Sequence, residues 1–451
     1  MKHFGKSEST AKPGMTATQS GNDELLLESR KQHYIPLPLY HDKPLHLVKA
    51  RGEYVWDSEG KRYLDCIGGI VCISAGHNHP KIKAKLMQML EDDEIQHTST
   101  LYLNRHIVEL AESLTAVAPD GLDRAAFTNS GSEANELAFM TARQSTGETM
   151  IINLRHGYHG GTSGALAQCG QHSWRFRAQP VSAATSALEP YCYRCPFNQQ
   201  VESCDLECAK NVETTIQTST HGRIAGMIVE PVMGVGGFIS PPDAYFGEVT
   251  EIVHRYGGKY ISDEVQTGSG RCGQEFLLSR ELGIDVDMVT MAKGFGNGAA
   301  IGAVLMKNED AKSLEGKMYF NTFGGDPMQT AQAKATMDVI AEENLSENAV
   351  VMGARLMDGF RQLMKKHQII GDVRGRGLLM GVELVKDRGS KVHASDEAAR
   401  LMDICKDHGV LIGKGGLRGN VTRIAPPMTI NAAQADRLLE VMDQALAEVC
   451  R

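Results

Sequence analysis

The chain has 451 residues, 42% of them hydrophobic and 23% charged, with a formal net charge of −8. That length exceeds one ordinary domain and that balance is globular, which excludes a disordered chain and a fibre. The negative charge argues against a nucleic-acid surface, and no apolar run approaches the roughly 18–20 residues that cross a bilayer.

The N-terminal stretch is polar and lacks the apolar core of a secretory signal. Glu8, Asp23 and Glu24 also weigh against a transit peptide, so residues 1–33 read as a mobile tail on a cytoplasmic protein. Residues 52–66, GEYVWDSEGKRYLDC, read as a hairpin turning at Asp57-Ser58-Glu59-Gly60, in a segment 34–76 expected to join a smaller domain. Over residues 77–334 helix and strand patterns alternate. Apolar strand candidates lie at 150–154, 226–230, 259–263, 288–291 and 300–306, with helices such as 133–144 and 242–256 between them. This predicts a mostly parallel sheet covered by helices. A long amphipathic stretch at 328–367 and the strand-like run GDVRGRGLLMGVELV lead into a smaller α+β domain over 335–451. The 47 glycines against 15 prolines suggest close backbone approach to a ligand.

Four segments of the central region share one theme, the holding of an anionic ring. Residues 129–136, NSGSEANE, open a predicted helix, where free N–H groups and the helix dipole favour a phosphate; a simple cap is the plain alternative. Tyr158 follows a strand and could stack on a flat ring, with His159 beside it either polar structure or site. Asp263 ends an apolar strand, where a carboxylate can pair with a protonated ring nitrogen; a cap or a metal ligand are the other readings. Lys293 stands between an apolar strand and a glycine-rich loop, where desolvation would lower its pKa and supply the neutral amine that Schiff-base chemistry needs.

Taken together and in order, NSGSEANE, YHGG, ISDEVQTGSGR, MAKGFGNG, FNTFGGDP, GDVRGRGL and RIAPP resemble the class III aminotransferases of pyridoxal-phosphate fold type I. FNTFGGDP and EENLSENA point to the alanine–glyoxylate and β-amino-acid–pyruvate branch. The resemblance implies an α/β fold whose large domain carries a mostly parallel seven-stranded sheet between helices, plus a smaller α+β domain. It implies pyridoxal phosphate as cofactor. Lys293 would carry the cofactor covalently and move the substrate proton, and Asp263 would keep the ring nitrogen protonated. Val265 and Tyr158 would take opposite ring faces and Gln266 the phenolic oxygen. Gly131 and Ser132 would bind the phosphate, with Thr322 reaching the phosphate of a neighbouring subunit. Arg423 would grip the substrate carboxylate and Glu230 would pair with that arginine in its other state. The partners implied are an amine or amino acid and a small keto acid, pyruvate or glyoxylate, handled in ping-pong order by a homodimer or tetramer.

Two positions depart from the family string: Asp326 where asparagine is usual, and Ser269 where phenylalanine is usual. Both bear on substrate choice more than on reaction type. The walls of the substrate pocket are expected to include Gly68–Val71. Residues 191–208 carry Cys192, Cys195, Cys204 and Cys208, spaced to bind zinc, to form disulfides or to stay free, near the pocket mouth and outside the chemistry. A phospho-lyase acting on a phosphorylated amino alcohol is the alternative reaction on the same cofactor. A scaffold built around the cysteine cluster is the non-catalytic alternative.

Overall fold

The computed structural model describes residues 19–178 and 183–450. A seven-stranded sheet forms the centre, in the order Arg124–Thr128, Gly302–Met306, Met288–Met291, Lys259–Asp263, Gly226–Val229, Ile151–Leu154 and Ala184–Ala187. The inner strands are short and buried at nearly every residue, as GMIV and GAVLM are. Continuous apolar runs of that kind suit a sheet covered on both faces. Pairing is parallel from Met288–Met291 through Ala184–Ala187. Only Gly302–Met306 runs against both of its neighbours.

The direction of the strands locates the site. Four adjacent parallel strands deliver their carboxyl ends to one edge of the sheet. There Ile151–Leu154 leads to Tyr158, Gly226–Val229 to Glu230, Lys259–Asp263 to Asp263 itself, and Met288–Met291 to Lys293. Arg124–Thr128 points the same way and brings Asn129 to Ser132 to that edge. The reversed strand contributes its start, at Ala300 and Ile301. Ligands bind at such carboxyl edges because helix N-termini and loops converge there.

The hairpin forms as expected, from Tyr54–Asp57 and Arg62–Asp65. Arg62–Asp65 also pairs in parallel with Val410–Leu411, so the N-terminal hairpin and the C-terminal region share a sheet. GDVRGRGLLMGVELV is a second hairpin, Ile370–Arg376 with Leu379–Leu384. The stretch 328–367 is two helices rather than one, Pro327–Glu342 and Leu345–Lys366, broken where Asn344 takes φ +51°. The expected tail differs too. Gln19–His33 is a helix, and Asp23 on it bonds His46 at 2.5 Å and Ser58. Residues 1–18 of that expected tail lie outside the described residues. No described helix is long and apolar enough to cross a membrane.

Candidate active site

A cavity of about 290 Å³ opens at the carboxyl edge of the sheet. Nine of the ten residues expected to act in the chemistry lie on it or beside it. Lys293, Asp263, Val265, Gln266, Tyr158, Glu230, Gly131 and Ser132 line it, and Arg423 is buried close by. Thr322 is the exception. It is exposed on a loop whose Asn321 accepts a bond from Asn129 at 2.8 Å. Cys72, Asn135 and His159 also line the cavity.

One end of the cavity is an anion cradle. The helix Gly131–Thr146 starts there, with Ser130 as its cap accepting the Glu133 N–H at 3.2 Å. Ser132 Oγ accepts the Gly161 N–H at 3.0 Å, tying the YHGG turn to the helix start. The glycines are required by close approach. A Cβ on Gly131 would lie 2.8 Å from Val265, and one on Gly160 2.4 Å from Ser132. Backbone N–H groups at a helix N-terminus with room above them suit a phosphate.

The middle of the cavity is a braced carboxylate. Asp263 is buried, and its Oδ2 lies 2.9 Å from Asn135 Nδ2 and 2.8 Å from His159 Nδ1. The Val265 N–H donates to the other oxygen at 3.2 Å. These contacts fix the group's direction and leave it free to meet a cationic ring nitrogen. Two buried acceptors, Asn135 Oδ1 and Gln266 Oε1, have no protein partner. Orphaned polar atoms at a cavity wall are what a polar ligand would satisfy.

Lys293 sits opposite, in the left-handed region at φ +49°. Burial pushes its amine below the usual lysine range, against the nearby charges of Asp263 and Glu230. Gly294 keeps this turn tight, since a Cβ there would lie 2.3 Å from Ser74 Oγ. Burial also pushes the Glu230 carboxyl up to about 7, opposed by His159 and reinforced by Asp263. Glu230 accepts N–H bonds from Tyr158 at 2.9 Å and Gly234 at 2.7 Å. It makes no ion pair with Arg423. Arg423 instead reaches Gly234 O and Tyr40 Oη, each at 3.5 Å, and its Nε has no partner. A single residue, Gly234, therefore donates through its N–H to one member of the expected pair and accepts through its carbonyl from the other.

Several expectations change in detail. Gly68–Val71 is a left-handed turn in which even Ile70 and Val71 have φ of +66° and +63°. Asp65 holds it by accepting the N–H groups of Ile67, Gly68 and Gly69. From this segment Gly69 and Ile70 line a separate cavity of about 240 Å³, and Cys72 is the residue that faces the central one. Asp326 is buried and bonded to His97 at 2.5 Å. Ser269 is buried with φ +68°, a conformation that bulky side chains disfavour. All four clustered cysteines are free thiols, and among the described residues no three ligating side chains are grouped as a metal site. Asn135 and His159 were not assigned from sequence. Their signal was position, one at the fifth residue after the cap of the cradle helix, the other beside the expected stacking aromatic.

A desolvated lysine facing a braced carboxylate, with an anion cradle at one end, is the constellation of a pyridoxal-phosphate enzyme. The comparisons with known proteins agree. The model of the family "Aminotransferase class-III" matches residues 39–446, and the chain belongs to that family. It is 41% identical over 427 residues to alanine–glyoxylate aminotransferase 2 homolog 2, mitochondrial, of Arabidopsis thaliana, covering 94% of this chain and 88% of that one. It is 36% identical over 444 residues to the human alanine–glyoxylate aminotransferase 2, mitochondrial, covering 94% and 86%. Among solved structures, a Bacillus anthracis aminotransferase superposes with a TM-score of 0.88 at 29% identity, covering 96% of this chain and all of that one. A PLP-bound amine transaminase from an uncultivated Pseudomonas species gives 0.84 at 28% identity, covering 98% and 99%.

The protein is thus a pyridoxal-phosphate-dependent transaminase, and the scaffold alternative falls. These relatives give no support to the phospho-lyase alternative. They also overturn the cytoplasmic placement, because the relatives of Arabidopsis and human are mitochondrial proteins. The acidic residues that argued against a transit peptide are weak evidence. Asp23 and Glu24 belong to the folded helix Gln19–His33.

Proposed function

We propose that the protein moves an amino group from alanine, or from a β- or ω-amine, to glyoxylate or pyruvate, in the mitochondrion. The observation that carries the substrate reading is Arg423, which is 5% exposed and has no carboxylate partner among the described residues. A buried cation left unpaired is costly, and an incoming carboxylate would supply the bidentate partner it lacks.

The cofactor, when bound, supplies an electron sink that acidifies the substrate Cα–H. The chain's own residues do the rest. Gly131 and Ser132 hold the phosphate, helped by the helix start. Asp263, braced by His159 and Asn135, accepts a hydrogen bond from the ring nitrogen and keeps its proton there. Val265 and Tyr158 flank the ring, and Gln266 meets its phenolic oxygen. Lys293 would hold the cofactor, and its amine, once free, would take the substrate Cα proton as base and later give it up as acid. Its lowered pKa favours the neutral form that the first role needs. Glu230, with a pKa near 7, is neutral or charged according to its surroundings, which fits a group that meets Arg423 in only one half of the cycle.

The active unit in this reading is a homodimer, with Thr322 reaching the partner's phosphate. Leu101, Tyr102, Leu103, Met318, Phe320 and Phe323 are large apolar side chains exposed on neighbouring loops beside the cradle. His97 joins those loops, bonding Asp326 and packing on Phe323 at 5.1 Å. A contiguous apolar surface of that kind favours a subunit contact. The division into a large domain over 77–334, with its cysteine-bearing insertion, and a small one over 335–451 with 34–76 belongs to the same reading.

The test is a half-reaction. Holoenzyme mixed with single amines, without keto acid, should pass from the aldehyde to the amine form of its cofactor with L-alanine or a β-amino acid. Glyoxylate or pyruvate should reverse the change. Donors that leave the spectrum unchanged are excluded, and failure of every amino acid would sink the substrate reading. Light scattering coupled to size exclusion tests the dimer, and a monomer that is fully active would remove Thr322 from the site.

A further inference from the structure

We infer that Arg374 is a positioning residue for the reaction, acting on Glu230 and Arg423 through the turn at residues 234–237; the inference rests on the substrate roles proposed above for that pair. Arg374 lies on the hairpin strand Ile370–Arg376, far along the chain from the catalytic motifs. Its Nε donates to Gly237 O at 3.0 Å. Gly237, at φ +100°, is the last residue of a turn closed by its own N–H on Gly234 O at 3.2 Å. Gly234 is the residue whose N–H donates to Glu230 at 2.7 Å and whose carbonyl accepts from Arg423 at 3.5 Å. The arginine thus holds one end of a turn whose other end separates the two substrate-handling charges.

The turn has little freedom to adjust. A Cβ on Gly234 would lie 2.3 Å from Gln266, and one on Gly237 2.9 Å from Val421. The N–H of Gly416 donates to Val235 O at 2.9 Å, fastening the middle of the turn to the strand pair that carries Arg423. A shift at Gly237 would therefore reach Gly234, and with it the distance between Glu230 and Arg423.

Arg374 is itself held from three sides. Its Nη1 donates to Asp372 at 2.7 Å and to Glu383 at 2.8 Å, and its guanidinium lies 4.8 Å over the Tyr191 ring. Glu383 is 1% exposed and also accepts from Tyr191 Oη and, at 2.6 Å, from Arg194 Nε. Tyr191 and Arg194 belong to the cysteine-bearing insertion. The structure gives that insertion a role that needs no metal: it fastens the Glu383 hub from which Arg374 reaches the active-site turn. A planar guanidinium can bond Gly237 through one nitrogen and two carboxylates through another, which a lysine ammonium on a single point cannot reproduce.

The experiment varies keto acid and amine separately on holoenzyme. Arg374→Gln and Arg374→Lys are expected to raise the keto acid KM by roughly 10-fold or more, with kcat falling by less than about 3-fold, because uniform binding is lost and the chemistry is not. Arg374→Met combined with Glu383→Gln removes both buried charges, so its melting temperature should recover relative to Arg374→Met alone while the keto acid KM stays high. A purely structural arginine predicts the opposite pattern, in which melting temperature falls and KM does not move, and that result overturns the proposal. Arg423→Ala separates the two layers. If it leaves the keto acid KM unchanged, the substrate reading fails and this inference falls with it. If it raises KM and the Arg374 variants do not, the inference alone is wrong.

Discussion

The two edges of the central sheet carry the same kinds of side chain and use them in opposite ways. At the amino edge, Asp287 is buried between His254 at 2.8 Å, the Tyr260 N–H at 2.8 Å and Lys307 at 3.1 Å. Burial pushes its carboxyl up, and those partners outweigh burial and bring it down to about 2. The same contact pushes His254 above the usual histidine range. At the carboxyl edge, Glu230 is as buried but meets only N–H groups, and stands near 7. Lys293 meets no carboxylate within bonding distance and is pushed down. Paired charges are a structural clamp, whereas desolvated charges held apart keep their proton affinity close to working pH. Burial is common to both edges, and it is the lack of a charged partner that sets Glu230 and Lys293 apart from Asp287.

Substitutions at the two edges should therefore fail differently. The largest effect is expected at the carboxyl edge. Lys293→Ala should lower kcat by about 10³-fold or more and Asp263→Asn by about 10²-fold or more, with melting temperature little changed, as positioned proton-transfer groups usually contribute 10²–10⁴-fold. Steady-state transamination with calorimetry on the same samples checks both halves of the statement. A loss of folding that matches the loss of rate would erase the distinction between the edges.

Glu230 gives the pH dependence. With a pKa of about 7 it is neutral below that pH and anionic above it, where it adds a negative charge beside Arg423 and the substrate carboxylate. Keto acid binding should weaken as pH rises through about 7, and Glu230→Gln should flatten that profile. A wild-type KM that is level across pH 6 to 8, on the scale set by that pKa, would remove Glu230 from the substrate site.

At the amino edge Asp287→Asn should cost about 2 kcal/mol of stability near neutral pH, read from a folded-state pKa of about 2 against an ordinary value of 3.8. The stabilisation is present above 3.8 and is lost as pH falls toward 2, so wild type and variant should converge in acid. Keto acid and amine KM should not change. The smallest effect concerns fluorescence. The chain has two tryptophans, and Trp174 lies 4.8 Å from the Tyr158 ring at the cavity. Cofactor binding should quench Trp174 emission, and Trp174→Phe should remove most of the quenching.

The same contrast explains what could be read from sequence. Inner strands such as Met288–Met291 announce themselves as unbroken apolar runs because both faces are covered. The edge strand Ala184–Ala187, ATSA, carries no such signal and was not expected. Arg124–Thr128 opens on an exposed arginine and was missed for the same reason. Motif residues at strand ends were legible because the chemistry restricts their type. Residues that act through others were not. His159 could be polar structure or site, and only the fold brings it 2.8 Å from Asp263. Nothing in the spacing of Arg374 and Gly237, 137 residues apart, announces their contact. The expected Glu230–Arg423 ion pair is not formed in this structure, and Gly234 lies between the two, bonded to both.

The most direct test of the account is a single-turnover experiment on three holoenzymes: wild type, Lys293→Ala and Asp287→Asn. Each is mixed with L-alanine alone and then with glyoxylate while the cofactor spectrum is followed. The account predicts that wild type and Asp287→Asn convert to the amine form and return, and that Lys293→Ala does neither on the same timescale. Conversion by Lys293→Ala at the wild-type rate, or its loss in folded Asp287→Asn, would contradict the assignment of chemistry to the carboxyl edge.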